Sequence, residues 1–150
     1  MKAHVITRIT INSSAQDVFL YLTDLKYMHL WNPQVKELPA QKVLKLHSKY
    51  KTVSQVLGVK IEAANIVTRY DLNKELQIEN ETGTVSYIAN FKLITHNDTV
   101  TLVCDTTVSS DSKAFAFTAP VLKLLARREL QTDLQALKIA VENNVSKILS

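Results

Sequence analysis

An α+β domain is what the pattern of apolar residues predicts: one strand, two short helices, a run of about six more strands, and a long closing helix. Three observations carry that expectation. Apolar residues recur at every second position near the start, residues 35–110 read almost wholly as strand with regular turn signals, and the last third steps by fours and threes. Leu, Ile, Val and Phe together number 48 of 150 residues, well above the roughly 20% below which a charged chain stays disordered. With 2 Gly and 3 Pro, linker-rich and low-complexity designs are excluded. A chain of this length buries enough surface for one good core, so residues 1–150 are read as a single domain.

Val5, Thr7, Ile9 and Ile11 have the period of a strand with one buried face. The period changes at Ser13, which with Gln16 fits a capping box at a helix start. Val18, Leu22 and Leu25 follow at helical spacing, with Tyr21 beside them. Residues 24–30 continue as a second short helix, ended by Trp31-Asn32-Pro33 because the residue before a proline is pushed out of the α region. Among the strands, the clearest are Val85, Tyr87, Ala89, Phe91, Leu93 and then Val100, Leu102, Cys104, Thr106, Val108. Weaker ones run through Val59, Ile61, Ala63, Asn65, Val67 and through Leu76, Ile78. Gly58, Asp71-Leu72-Asn73, Thr82-Gly83 and His96-Asn97-Asp98 separate them, and connections this short join antiparallel neighbours. Thr118-Ala119-Pro120 marks the last helix start. Leu130, Leu134, Leu137, Val141, Val145 and Ile148 form its apolar face, opposite Arg127, Gln131, Gln135, Lys138 and Glu142.

Several classes are excluded. The single Cys104 removes any intramolecular disulfide, and His4, His29, His47 and His96 have no zinc-ligand spacing. No metal or cofactor is implied, since there is no Gly-rich phosphate loop. Residues 1–8 lack the apolar stretch of a signal peptide, and no apolar run is long enough to span a bilayer. A cytoplasmic location is the expectation.

The segment Ile9-Thr-Ile-Asn-Ser-Ser-Ala-Gln-Asp-Val-Phe-Leu-Tyr-Leu-Thr-Asp24, followed by Trp31-Asn32-Pro33, resembles the opening of START-like helix-grip proteins. Within that superfamily, which includes the birch-pollen-allergen fold, it is most similar to the polyketide cyclase/dehydrase and lipid-transport family. The closing helix, Leu134-Gln-Ala-Leu137-Lys138-Ile-Ala-Val141-Glu142, fits the same group. Ser14 departs from it, since many relatives carry proline there. The resemblance implies a curved antiparallel sheet of about seven strands gripping the C-terminal helix, with a cavity between them. Relatives bind sterols, lipids, quinones, plant hormones or polyketides in that space, and a minority catalyse cyclisation or dehydration. Fold alone does not choose among these.

The inward faces supply the candidate ligand-binding residues. Tyr87, Phe91, Leu102, Cys104 and Val108 have the composition of a small-molecule site, and equally that of a filled core. Trp31 and Tyr50 are candidates for the mouth or floor, although a tryptophan beside a proline turn is more often a packing anchor. Phe115, Phe117 and Val121 lie in an apolar segment that either gates the cavity or leads into the helix. Asn65 falls on an otherwise apolar face, which calls for partners or a ligand. Tyr87, Asn65 and Asn80 are the polar residues of inward parity. No catalytic residue is assigned: His96 sits in a turn, Asp105 points outward, and Cys104 reads as a small buried hydrophobe.

The net charge is +4 and uneven, with residues 36–60 basic and residues 62–111 acidic. These edges could guide an anionic ligand or peripheral contact with an acidic membrane surface, or simply keep strand edges soluble. Nucleic-acid binding is excluded, because no aromatic ladder is interleaved with the lysines. Three functions remain in order: a binding or carrier protein for an apolar small molecule (lipid, quinone or polyketide-like), a cyclase/dehydratase-type enzyme, and a regulatory module that binds a protein such as an operon partner.

Overall fold

A computed structural model describes residues 2–32, 35–37, 43–56, 59–81, 85–110 and 119–149. The turns expected at Gly58 and Thr82-Gly83 lie outside the described residues. The element order is β1 (Lys2–Ile11), α1 (Ala15–Thr23), α2 (Leu25–Trp31), β2 (Val35–Glu37), β3 (Lys49–Val56), β4 (Val59–Asp71), β5 (Glu75–Glu81), β6 (Val85–His96), β7 (Thr99–Ser110) and α3 (Ala119–Leu149). Among the described residues the strands form one antiparallel sheet in the order β1-β7-β6-β5-β4-β3-β2. This is the α+β helix-grip arrangement that the sequence implies, with the three-residue β2 at one edge.

Local chemistry explains the junctions. The cap of α1 is Ser14 rather than the expected Ser13: the Ser14 side chain accepts from Asp17 N at 3.1 Å. Ser13 is nearly buried and donates to the Asp17 carboxylate at 3.3 Å. The capping-box reading chose between adjacent serines on the identity of Gln16, whereas the first turn is anchored through Asp17. Asp24 caps α2 by accepting from Lys26 N at 3.2 Å, and α2 ends at Trp31 as the proline predicts. Asn73 (φ 62°) and Asn97 (φ 47°) occupy the left-handed region in the β4–β5 and β6–β7 turns, where a short amide side chain is tolerated.

The core fills one end of the sheet. Ile11, Val18, Leu22, Leu25, Leu76, Val100 and Leu102 are at most 1% exposed. Leu134, Leu137 and Val141 of α3 join the same cluster. Lys138 Nζ donates to Thr10 O at 2.7 Å, and Asn12 N donates to Glu142 Oε1 at 3.0 Å. These two bonds clasp α3 to the end of β1. The main backbone approaches of α3 are to β1, α2 and α1, not to the middle strands β4–β6. No described helix is long and apolar enough to cross a membrane.

Leu134→Asp replaces a side chain only 2% exposed with a charge that has no partner. It should cost about 3–5 kcal/mol, from lost packing and a desolvated carboxylate. Thermal unfolding should show a melting temperature lower by at least ~6 °C; an unchanged value would place the stripe off the sheet.

Candidate functional site

Away from that core the inner face of the sheet becomes polar. Tyr50, Asn65, Asn80, Tyr87 and Val108 are successive cross-strand partners on β3, β4, β5, β6 and β7, and the row ends at Ala3 of β1. Side chains on one row share a face, so four polar residues meet where an apolar strip would be ordinary. Asn65 Nδ2 donates to Tyr50 O at 3.2 Å, to Thr52 Oγ1 at 3.1 Å and more weakly to Ala63 O at 3.4 Å. Asn80 Nδ2 donates to Asn65 Oδ1 at 2.8 Å. Asn65 and Asn80 are 3% and 2% exposed, yet among the described residues Asn80 Oδ1 has no hydrogen-bond partner.

The same end admits solvent. Tyr87 and Val108 face inward yet are only partly buried, whereas Val67, Leu76, Leu102 and Cys104 deeper along the sheet are fully enclosed. Part of Tyr87 is open while its hydroxyl lies deep. Burial pushes the Tyr87 phenol up to about 12; a hydrogen bond from Asn80 acts the other way, and Asp133 adds to the rise. Tyr50 is raised well above the ordinary tyrosine value, again by burial first and then by Tyr87.

The helix contributes acids to this space. Burial pushes the Asp133 carboxyl up to about 7, with Glu129 adding to the shift, and burial raises Glu129 as well. Asp133 also raises both Tyr87 and Cys104, so its carboxylate faces β6 and β7 across the interior. Cys104 is pushed to about 11, chiefly by burial. Its sulfur lies 3.3 Å from Thr106 Oγ1. Opposite it in register, the 5%-exposed Thr7 turns its hydroxyl toward the thiol and acts against that rise, as Thr106 does.

The residues expected from the sequence therefore divide. Asn65 and Tyr87 meet at the polar end, joined through Asn80. Phe91, Cys104 and Trp31 sit in the closed core: Phe91 and Cys104 are register partners. Trp31 packs edge-on against Phe91 with ring centroids 6.4 Å apart, and its indole N–H donates to Tyr21 O at 2.8 Å. Phe115 and Phe117 lie outside the described residues. Val121 lies in α3 by its backbone, and its side chain is likewise outside what is described. Sequence reasoning missed Glu129 and Asp133. Their signal was available: Glu129, Asp133, Ala136 and Ala140 step by 4, 3 and 4 beside the apolar stripe, and the two alanines pack on the core.

An open hollow of about 900 Å³ on the same strands is lined by the outward-alternating Lys49, Lys51, Ile66, Glu79 and Ile88 and also by Tyr50, Asn65, Asn80 and Tyr87 of the polar row. Among the described residues no three potential metal ligands gather.

Asp133 sets a pH dependence. Its folded value of about 7 exceeds the unfolded carboxylate value of about 3.9, so the native state holds the extra proton between them. Stability is therefore full below about pH 4 with respect to this group and declines as pH rises through 7. Asp133→Asn should raise stability at pH 8 by roughly 1–2 kcal/mol, or about 2–8 °C, and change little at pH 4. Melting curves at the two pH values check this, and an equal effect at both would contradict it.

The comparisons fit this geometry. The family model described as polyketide cyclase / dehydrase and lipid transport matches residues 2–142. A START superfamily protein from Mycobacterium smegmatis has a TM-score of 0.79 at 18% identity, over 93% of this chain and 97% of its own. A Thermus thermophilus protein has a TM-score of 0.81 at 14% identity, over 94% and 98%. An aromatase/cyclase from Streptomyces has a TM-score of 0.79 at 15% identity, over 97% and 96%. Identities this low show the fold alone. No curated protein matches the sequence. The family match spans nearly the whole chain, and the protein belongs to the polyketide cyclase/dehydrase and lipid-transport family.

Proposed function

We propose that the protein binds an apolar small molecule, lipid-like or polyketide-like, between the polar row and the N-terminal half of α3. The observation that carries this reading is the row itself. Asn65, Asn80 and Tyr87 are placed on the inner face at the end where inward residues remain partly open. A closed core gains nothing from two desolvated amides, whereas an apolar pocket uses a few fixed polar groups to orient its ligand. The phenol of Tyr87 and the amides are anchors: none of them is a ready base near neutral pH.

A second reading, a cyclase or dehydratase, is favoured by Asp133. A carboxyl held near 7 and facing Tyr87 has the acid–base character that elimination or aldol chemistry needs. Such an enzyme would lose turnover by orders of magnitude in Asp133→Asn while retaining binding. No comparable observation favours a protein-interaction module.

Native mass spectrometry of gently purified protein should reveal a co-purified small molecule under the carrier reading. Titrating that molecule into apo-protein, Tyr87→Phe should weaken its binding by about 0.5–1.5 kcal/mol, the net worth of one neutral hydrogen bond. Undiminished affinity would remove Tyr87 from the site.

A further inference from the structure

The outward face of β3–β5 carries its charges in columns. Lys49 and Lys51 stand on β3, Ala64, Ile66 and Thr68 on β4, and Glu79 on β5, with Glu81 two positions further along that strand. Lys49, Ile66 and Glu79 are successive register partners on one row. The six side chains from Lys49 to Glu79 all wall the hollow of about 900 Å³. Tyr50, Asn65 and Asn80 alternate with them but are at most 7% exposed, so the open surface of this part of the hollow belongs to the outward residues. At either end of β4 charge is met within the chain: Lys60 Nζ lies 3.6 Å from Glu62 Oε1, and Arg69 Nη1 lies 3.7 Å from Glu75 Oε2.

Basic, neutral and acidic in three adjacent columns is a pattern that changes sign about its middle, and such a surface is complementary to itself. We infer that this face docks a second copy of the chain, related by a two-fold axis running along β4. A half-turn about that line exchanges the β3 and β5 columns, so Lys49 of each copy faces Glu79 of the other and Ile66 meets Ile66 at the axis. Shape agrees with charge. A twisted sheet is hollow along one diagonal of its face and ridged along the other. The half-turn about a strand lays the ridge of each copy in the hollow of the other, which is the aligned packing of β-sandwiches. Sheets stacked in this way lie about 10 Å apart, a gap that a lysine and a glutamate span together. The strip from β2 to β6 offers on the order of 500 Å² per copy, short of the ~800 Å² of a standard interface, so the dimer is weak and salt-sensitive. The polar row faces the opposite way, and the contact is independent of what the interior binds.

Sedimentation velocity on the wild-type protein from about 10 μM to about 1 mM should show a monomer–dimer equilibrium at neutral pH in about 50 mM salt. Its dissociation constant should rise at least about 10-fold in about 500 mM salt. Lys49→Glu and Glu79→Lys each set like charges against one another twice across the axis, and each alone should weaken self-association at least about 10-fold. Mixed in equal amounts, the two variants should associate with each other within about 3-fold of the wild-type affinity, since every carboxylate on that row then meets an ammonium group. If one single variant does not fold, the double variant Lys49→Glu/Glu79→Lys replaces the mixture and should self-associate like the wild type. A wild-type protein that stays monomeric over the whole range overturns the proposal. A dimer that either variant leaves intact, or that neither the mixture nor the double variant restores, uses another face and overturns it as well.

Discussion

One helix cannot cover this sheet. Seven strands set about 4.8 Å apart span close to 30 Å, and a helix with its side chains is about 10–12 Å across. Everything else in the fold follows from that mismatch. α3 covers the β1 side and is clasped there by Lys138 and Glu142. α1 and α2 fill the same end of the concave face with Val18, Leu22, Leu25 and Met28. What is left is the face toward Tyr50, Asn65, Asn80 and Tyr87, which has no described helix packed closely over it. That row is nonetheless enclosed, with Tyr50, Asn65 and Asn80 at most 7% exposed, so its amides are held by bonds to one another and to neighbouring strands.

The two regions obey different rules. In the packed end, side chains contribute through area, and a buried leucine or valine is worth about 1.5–3 kcal/mol. In the polar end, little net stability is gained from each hydrogen bond and much is lost where one is missing, about 1–3 kcal/mol for an orphaned group. Asn80 carries such an orphan among the described residues, and Asp133 adds a carboxyl whose ionisation the interior resists.

The architecture was legible because it is written in periods. Alternation along Val85–Leu93 and the 4-3-4 stepping from Leu130 to Val141 need no long-range information, and both elements appear where the pattern puts them. The cap at Ser14 was missed by one residue because two serines compete for it. The site was legible only in part. Parity put Asn65 and Tyr87 on the inner face, but it could not give the register that aligns them with Asn80 and Tyr50. Glu129 and Asp133 were read past because a charged residue in an amphipathic helix is ordinarily solvated. Trp31 shows the converse: a conspicuous residue whose indole N–H is already committed to Tyr21 O.

The clasp between α3 and β1 joins the last element of the chain to the first, and this has a consequence during synthesis. The sheet has all its strands once Ser110 is made, but Leu134, Leu137 and Val141 come roughly 25–30 residues later. At about 5–20 residues per second, the concave face, with Val67, Leu76, Leu102 and Cys104 on it, waits for α3 on the nascent chain for about 1–6 s. During that interval α1 and α2 are its only helical cover, and a holdase chaperone is the natural temporary cover for the apolar surface they leave open.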